Sequence, residues 1–362
     1  MFERRLYFHV DWLMIVAVLA LCGIGVAMIY STTHAASSRL YVIQLYAIGL
    51  GLIAMGICLV IDYRSLGESS HFFYMAIIVL LLYVAFFGAV RGGARRWIPL
   101  GFFNLQPSEF AKVVVALVLA KFFDETLQGQ PTGSDLGIAG ALTVLPMALI
   151  AKEPDLGTAV TLVPVFLAIA YLAGMRFRVI GIVLLVAIAL TPLAWRYGLR
   201  DYQKNRIVTF LDPDLDPRGG GYQQIQARVT VGSGGVLGKG FGKGTQGQLR
   251  FLPVAHTDFV FSALAEELGL LGVVVTLALY LFVILRALQT ARLSRDRLGS
   301  FLVLGVLAGF GFQVIYNVTM SAGLAPVKGL TLPLLSYGGS AMIATLAGFG
   351  LILNVRMRRF TN

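Results

Sequence analysis

Long apolar segments, separated by short polar breaks, run along most of the chain. Apolar runs of about 17–25 residues are typical of membrane-spanning helices. Ten segments follow this pattern, although the fifth has only 15 residues and contains Pro146; they are 12–30, 41–61, 72–90, 107–123, 137–151, 157–173, 177–195, 259–285, 300–322 and 339–355. The pattern predicts an all-α integral membrane protein with about ten transmembrane helices, forming a single domain over residues 1–362.

The distribution of Lys and Arg predicts the orientation of these helices. The basic segment Met1 to Arg5 precedes a first apolar run that exceeds the roughly 7–15 residues of a signal-peptide core, so we interpret this run as a retained span. Cations are concentrated at alternate ends of the segments and in the tail at 356–359. The positive-inside rule therefore predicts two cytoplasmic termini, whereas nine spans would place the basic tail outside.

One long connection, residues 196–258, lies between the seventh and eighth segments, and the predicted orientation makes it extracytoplasmic. A loop of 63 residues is usually functional or disordered. Its apolar and aromatic residues, among them Phe210, Tyr222 and Phe241, favour a packed loop. We find no second soluble domain.

Composition narrows the class of protein. Hydrophobic residues make up 57% of the 362 positions and charged residues 13%, whereas soluble domains carry about 45–50% and about 25%. This excludes a soluble enzyme, a disordered chain and a nucleic-acid-binding domain. The net charge of +11 is explained by topology and lipid head groups, since the cations lie at the ends of apolar runs. Cys22 and Cys58 lie inside apolar runs, which favours buried thiols over a disulfide or a metal site.

Charged residues beside the hydrocarbon are functional candidates, because they cost several kcal/mol unless paired or hydrated. Arg95 and Arg96 lie in a predicted outer loop, where they act either as interfacial anchors or as a clamp for an anionic head group. Glu109 and Lys112 share one face at the start of the fourth span with Ser108, and the alternative to a functional site is an internal Glu109–Lys112 pair.

Four further acidic positions stand at span ends or inside a span. Asp155 follows Pro154 in a tight turn and is a predicted N-cap. Asp258 begins the eighth span, either as an N-cap or as a general base whose pKa is raised by partial desolvation. Glu266 lies about 80° from Asp258 around the helix, where it is placed to pair with Lys112. The alternative for Glu266 and Glu267 is pairing with neighbouring helices.

The glycine-rich segment from Gly232 to Gly247 formally contains a G-x-G-x-x-G pattern, but no strand precedes it and no Walker sequence is present. We therefore exclude a nucleotide site. Glycines beside Lys239 and Lys243 favour backbone N–H groups that approach an anion. His256 near Asp258 does not indicate a hydrolase, because no nucleophile elbow is present.

Together these segments resemble the SEDS family of bacterial cell-wall polymerases, closest to its RodA branch. The similar stretches, in chain order, are GARRWI (93–98), QPSEFAK (106–112), EPDLGTA (153–159), RIVTFLDPDLDPRGGGYQ (206–223), GSGGVLGKGFGKGTQGQLRFLP (232–253), HTDF (256–259), EELGLLG (266–272) and LPLLSYGGS (332–340). The chain departs from the usual pattern at Ala227, Ala341 and Val254–Ala255.

The resemblance implies a ten-helix enzyme of the bacterial inner membrane that polymerises lipid II on the periplasmic side, for cell elongation and rod shape. It implies a class B penicillin-binding protein and elongation-complex membrane proteins as partners. It also implies that Asp258 is the essential acid and that Glu109, Lys112 and Asp155 line the same outward cavity.

The chemistry of such a polymerase fits these residues. A pyrophosphate leaving group needs little acid assistance, so a single base, Asp258, suffices to deprotonate the acceptor hydroxyl. Cations hold the departing pyrophosphate, and the candidates are Arg95, Arg96, Lys112 and Arg206. Lys239 and Lys243, beside the glycine-rich segment, are further candidates for binding the substrate. No spacing resembles a metal-ligand set, so assistance by a divalent cation stays open. The alternatives are a lipid II flippase, a non-enzymatic scaffold and an FtsW-like division polymerase of the same family.

Overall fold

The computed structural model describes residues 9–34, 39–91, 94–101, 104–127, 129–193, 195–196, 201–217, 219–249 and 251–360. The basic segment Met1–Arg5 and the Gly92–Gly93 pair, both used in the sequence analysis, lie outside these residues. The helices are α1 (Trp12–His34), α2 (Leu40–Val60), α3 (Tyr63–Glu68), α4 (Ser70–Phe87), α5 (Pro107–Thr126), α6 (Gly133–Lys152), α7 (Leu156–Leu172), α8 (Phe177–Leu193), α9 (Asp201–Leu211), α10 (Gly220–Ser233), α11 (Thr245–Gln248), α12 (Val260–Arg292), α13 (Arg297–Ser321) and α14 (Gly339–Met357).

Each of the ten predicted segments corresponds to one of these helices. Seven of them, α1, α2, α4, α6, α12, α13 and α14, are long and apolar enough to cross a membrane. The other three differ: α7 and α8 have 17 residues each, and α5 carries five charged side chains in its 20 residues. The chain is therefore a mostly helical, multi-pass membrane protein, while the ten-span count and the orientation of the termini stay predictions.

The fifth segment is longer than its sequence suggested. Thr132 accepts a hydrogen bond from the Asp135 N–H, and the Asp135 carboxylate accepts one from the Thr132 N–H, so a capping box starts α6 at Gly133. The helix then continues through Pro146 to Lys152 for 20 residues.

The all-α expectation needs one correction, because a small antiparallel sheet joins α4 to α5. Its strands are β1 (Ala89–Arg91), β2 (Ala94–Pro99) and β3 (Asn104–Leu105), in that spatial order. Val90 pairs with Arg95, and Ile98 pairs with Leu105. The strands are too short for a clear period-2 pattern, which is why the sequence suggested only a loop.

The helices pack around a continuous apolar core. Met14 and Leu21 of α1, Leu119 of α5, Leu302 of α13 and Leu346 of α14 have no exposed side-chain surface. Large apolar side chains also cover the outside of the bundle, among them Val16, Ile53, Phe72, Phe86 and Leu271. An apolar exterior around an apolar core is the arrangement expected in lipid.

Helix α12 is broken near one end, at Gly269, whose backbone angles are φ 66° and ψ −166°. The glycine-rich segment reaches this break. The N–H groups of Leu270 and Leu271 donate to the carbonyls of Gly235 and Val236 at 2.9 and 3.2 Å. In return, the N–H groups of Lys239 and Gly240 donate to the carbonyls of Glu266 and Glu267, each at 3.0 Å. The break therefore loses few backbone hydrogen bonds, because the connection replaces them.

Replacing Gly269 by Ala is expected to destabilise the fold. Only glycine readily adopts this backbone conformation, whose cost for other residues is about 1–3 kcal/mol, and a Cβ here would collide with the Gly238 nitrogen. Thermal unfolding of the purified protein in detergent measures the loss. Gly311→Ala, in α13, is the matched control because a Cβ there meets nothing within 4 Å. Equal melting temperatures for the two variants would contradict the assignment.

The long connection is folded, as its composition predicted. It contains α9, a 3₁₀ turn at Pro213–Leu215, α10 and α11. A small apolar cluster attaches it to the bundle, in which Ala227 of α10 packs with Leu252, Ala255, Phe259 and Met320 of α13. The connection is thereby held against the start of α12 and the end of α13.

Candidate active site

A cavity of about 600 Å³ opens at the end of the bundle where α5, α7, α12 and α14 begin. Four of the predicted site residues line it: Arg96, Glu109, Asp155 and Asp258. Its volume lies within the range of about 300–1,000 Å³ that is usual for small-molecule sites. The cavity therefore brings together residues that are as many as 162 positions apart (96 to 258).

Asp258 is held by its backbone, which leaves its carboxylate at the cavity wall. The Asn317 side-chain amide donates to the Asp258 carbonyl at 2.9 Å, and Ser336 donates to the Thr257 carbonyl at 2.5 Å. Helix α12 begins at Val260 with Phe259 at the cap position, so the interpretation of Asp258 as an N-cap is wrong. The Asp258 carboxylate therefore does not serve to start a helix and lines the cavity instead.

Burial raises the pKa of the Asp258 carboxyl above the ordinary value of an aspartic acid. Three influences lower this pKa again: the charge of Arg96, a hydrogen bond from the Thr257 side chain and the charge of Arg206. Because desolvation and cations act in opposite directions, the group is a stronger base than an exposed aspartate and is still stabilised in its ionised form.

Asp155 performs the capping function that the sequence predicted. It accepts hydrogen bonds from the Thr158 N–H at 3.2 Å and from the side chains of Gln106 at 2.8 Å and Ser108 at 3.3 Å. Nη1 of Arg96 lies 3.7 Å from Asp155 Oδ1. Asp155 therefore joins the starts of α5 and α7 and holds the one predicted arginine that lines the cavity.

Glu153 is a buried acid that the sequence analysis did not select. It is 2% exposed, and neither of its carboxyl oxygens has a hydrogen-bond partner among the described residues. Burial, together with the nearby Asp155, raises the pKa of Glu153 to about 8, and Arg96 lowers it. At neutral pH Glu153 is therefore mostly uncharged, and the ion pair that Arg96 forms is with Asp155.

Glu109 and Lys112 form an internal ion pair at the start of α5, which the sequence analysis gave as the alternative to a functional site. Lys112 Nζ lies 2.6 Å from Glu109 Oε2 and donates to Gln313 Oε1 at 3.0 Å. Glu109 lines both the cavity and a narrow apolar crevice that continues into the bundle, whereas Lys112 lines the crevice. The expectation that Lys112 lines the same cavity as Glu109 and Asp155 is therefore wrong, because its amino group is bound by Glu109 and Gln313 beside the crevice.

Four predicted site residues lie elsewhere. Successive side chains of a strand point to opposite faces, so Arg95 points away from Arg96 and donates to the Phe86 carbonyl at 3.0 Å. Arg206 lines a neighbouring pocket in the long connection. Lys239 pairs with Glu266 at 2.6 Å, and Lys243 is exposed, outside the cavity lining.

The glycine-rich segment does bind an anion through backbone N–H groups, but the anions are the chain's own Glu266 and Glu267. Glu266 accepts from Lys239, from Thr245 at 3.0 Å and from the Gln246 N–H at 3.1 Å. Glu267 accepts from the Ser31 hydroxyl at 2.5 Å and from the Gly242 N–H at 3.1 Å. The expected Glu266–Lys112 pair is therefore wrong, because both partners are engaged elsewhere.

Some residues that line the cavity lie in motifs quoted in the sequence analysis but were not predicted there as site residues. Gln106 opens the QPSEFAK stretch, and its N–H donates to the Ser340 hydroxyl at 2.9 Å. Ser340 and Tyr337, in the LPLLSYGGS stretch, also line the cavity. Lys328 lies in none of the quoted motifs. It precedes Gly329 of the cavity wall, and burial together with Arg206 lowers the pKa of its amino group.

The fold and this cavity define a class of protein: a multi-pass membrane protein with acids and an arginine gathered at one end of its bundle. The family model FTSW_RODA_SPOVE, described as "Cell cycle protein", matches residues 11–360. The chain therefore belongs to the FtsW/RodA/SpoVE family, which confirms the resemblance to SEDS proteins.

Named relatives are similar over nearly their whole length. Peptidoglycan glycosyltransferase MrdB of Escherichia coli K12 is 38% identical over 351 residues, covering 97% of this chain and 94% of the relative. The probable peptidoglycan glycosyltransferase FtsW of Geobacter metallireducens is 37% identical, with 96% and 95% covered.

Solved structures have the same fold. The chain matches one from a study of "structural coordination of polymerization and crosslinking by a peptidoglycan synthase complex" with a TM-score of 0.84 and 33% identity, covering 98% of this chain and 99% of that one. It matches the crystal structure of the rod shape determining protein RodA of Thermus thermophilus with a TM-score of 0.73 and 31% identity, covering 98% of each chain.

Proposed function

We propose that this protein is a peptidoglycan glycosyltransferase that polymerises lipid II with inversion, with Asp258 as the general base. The observation that carries the proposal is the Asp258 carboxylate, of raised pKa, in the wall of a 600 Å³ cavity beside Arg96. The proposal is supported by two relatives that are named peptidoglycan glycosyltransferase or probable peptidoglycan glycosyltransferase and that match this chain over 94–95% of their own length.

In the proposed reaction, the acceptor sugar places its 4-hydroxyl against Asp258. The carboxylate takes the proton as the oxygen attacks the anomeric carbon of the donor sugar. The bond between that carbon and the pyrophosphate oxygen breaks, and the lipid pyrophosphate leaves with the electron pair. A general base within hydrogen-bond distance of the proton raises the rate of such a step by about 10²–10⁴-fold.

Arg96 is the cation best placed to hold the leaving pyrophosphate. Its guanidinium lines the cavity, its Nε has no hydrogen-bond partner among the described residues, and its nearest carboxylate contact is 3.7 Å long. A planar guanidinium matches phosphate oxygens in a bidentate way. Lys112 is already paired with Glu109 beside the crevice, and Arg95, Lys239 and Lys243 are left out of the site.

Orientation and partners complete the proposal. The cavity faces the periplasm if the positive-inside rule holds for this chain. The similarity to a structure of a peptidoglycan synthase complex supports a class B penicillin-binding protein as the partner. The similarity to MrdB supports a function in elongation, and the FtsW relatives keep a function in division as the alternative.

The test is a polymerisation assay with purified wild-type protein in detergent micelles, with labelled lipid II and its partner present. Glycan strands resolved on a gel are the expected result. A flippase has no barrier to move its substrate across in micelles and forms no glycosidic bond, so unchanged lipid II would overturn the proposal and favour the transporter.

Lys112→Ala is expected to reduce polymerisation more than Arg39→Ala does. Removing one partner of a buried ion pair costs about 3–5 kcal/mol, because the other charge is left uncompensated. Arg39 is exposed and serves as the control. The double variant Glu109→Gln/Lys112→Met separates the causes: restored stability with restored activity indicates a structural pair, whereas restored stability without activity indicates contact with substrate.

A further inference from the structure

A second pocket, of about 300 Å³, lies in the long connection between α9 and α10, and the proposed reaction does not use it. Asn205, Thr209 and Phe210 of α9 line one wall, and Gln223 and Gln224 of α10 line the other. The pocket belongs to the RIVTFLDPDLDPRGGGYQ stretch, one of the longest that the sequence analysis singled out and the one with the least assigned function.

The turn between the two helices is built to bring these walls together. Asp216 accepts a hydrogen bond from the Gly220 N–H at 2.8 Å. A Cβ at Gly221 would collide with the Pro213 carbonyl, and a Cβ at Gly219 would collide with Asp216. Glycines are therefore required where α10 begins, and the pocket is a fixed feature of the connection.

The pocket lining selects a neutral ligand rich in hydroxyl and amide groups. The side-chain amides of Asn205, Gln223 and Gln224 both donate and accept hydrogen bonds, and Thr209 adds a hydroxyl. An apolar chain here would leave these groups without partners. The charges of Arg206 and Asp216, both in the lining, balance, so an anion gains little. Phe210 supplies a flat apolar face.

The pocket adjoins the cavity that contains Asp258. Val327 lines the pocket, and Gly329, two residues later, lines the cavity. Val327 also packs on the apolar cluster that includes Phe259, the residue after Asp258. Arg206 lines the pocket and lowers the pKa of Asp258, which places the two spaces within electrostatic reach of each other.

We propose that this pocket is a saccharide subsite, which binds N-acetylated sugars of the glycan strand already made while the end of the strand lies at Asp258. The proposal rests on the proposed polymerase function. Sugar hydroxyl and acetamido groups bind the amide side chains, and a sugar ring stacks on Phe210. Binding here keeps the strand attached between additions, so the pocket sets strand length.

The first experiment compares strand lengths from wild-type protein, Gln223→Ala and Gln226→Ala, with purified protein and excess lipid II. Gln226 is the matched control because it lies on the same helix outside the pocket lining. Loss of one hydrogen-bonding side chain is expected to shorten the Gln223→Ala strands about threefold to tenfold, with Gln226→Ala matching wild type. Asn205→Ala, at an exposed position, tests the same pocket with no change to the core.

Failure of the two proposals is distinguishable. If wild-type protein makes no strands, the proposed function fails. If wild-type protein makes strands and both pocket variants make strands of the same length, the subsite alone is overturned.

A second measurement tests binding directly, by ligand-observed NMR with a peptide-free GlcNAc–MurNAc tetrasaccharide whose lactyl carboxylates are amidated, which keeps the probe neutral. Binding to wild-type protein that is weaker in Gln223→Ala supports the subsite. Equal binding to both proteins, or binding of the free pentapeptide in place of the tetrasaccharide, overturns it.

Discussion

Asp258→Asn is expected to abolish strand formation while leaving the fold intact. The amide keeps the size of the carboxyl group, but it cannot accept the proton of the attacking hydroxyl at neutral pH. The rate should fall by about 10²–10⁴-fold, the usual contribution of a general base. Quantitative gel analysis of strands from purified protein measures the rate. The backbone contacts from Asn317 and Ser336 do not involve the substituted atoms, so thermal unfolding should be unchanged.

The matched control is Asp214→Asn, an exposed acid in the same connection that lies outside the cavity lining. It removes the same charge and should keep wild-type activity. Strands formed at the wild-type rate by Asp258→Asn would rule out this carboxylate as the base. Equal losses in the two variants would point to net charge as the cause.

Arg96→Gln is expected to lower the rate by about 10²–10³-fold, because it removes the cation proposed to meet the charge that develops on the leaving pyrophosphate. A second effect follows from Asp258. Arg96 lowers the pKa of that carboxyl against the effect of burial, so without Arg96 the pKa rises further. The base works only when deprotonated, so the acidic limb of the pH–rate profile should move to higher pH.

Arg95→Gln is the control for this variant, since the side chain points to the other face of the strand. It should retain both the rate and the pH profile. The pH–rate profile of each purified protein, measured by strand formation, separates the outcomes. If Arg95→Gln moved the profile and Arg96→Gln did not, the placement of β2 beside the cavity would be wrong.

Much of the helical architecture follows from local sequence. The apolar runs and the capping residue Asp155 place helix starts, because both signals act within a few residues. The break at Gly269 has no such signal. Its backbone groups are satisfied by Gly235 and Val236, more than 30 positions earlier, so the break depends on a contact that periodicity does not encode.

The site, too, was predicted where local sequence signals act and was missed where tertiary contacts decide. Glu109, Asp155 and Asp258 each stand at a helix start, and the bundle brings those starts to one end. Arg95 and Arg96 are equivalent in a loop, but a strand sends neighbours to opposite faces, and the strand was not foreseen. Lys239 was predicted to meet a bound anion, but its amino group lies 2.6 Å from Glu266, and only the tertiary fold determines that pairing.

The glycine-rich segment and the outer part of α12 are joined by four main-chain hydrogen bonds and by the carboxylates of Glu266 and Glu267. Residues 235–246 and 258–271 therefore form one structural unit, and a hybrid protein must exchange them together. A hybrid that exchanges only one of these segments with a relative would break these hydrogen bonds and displace Asp258, whereas a hybrid that exchanges both would keep Asp258 in place.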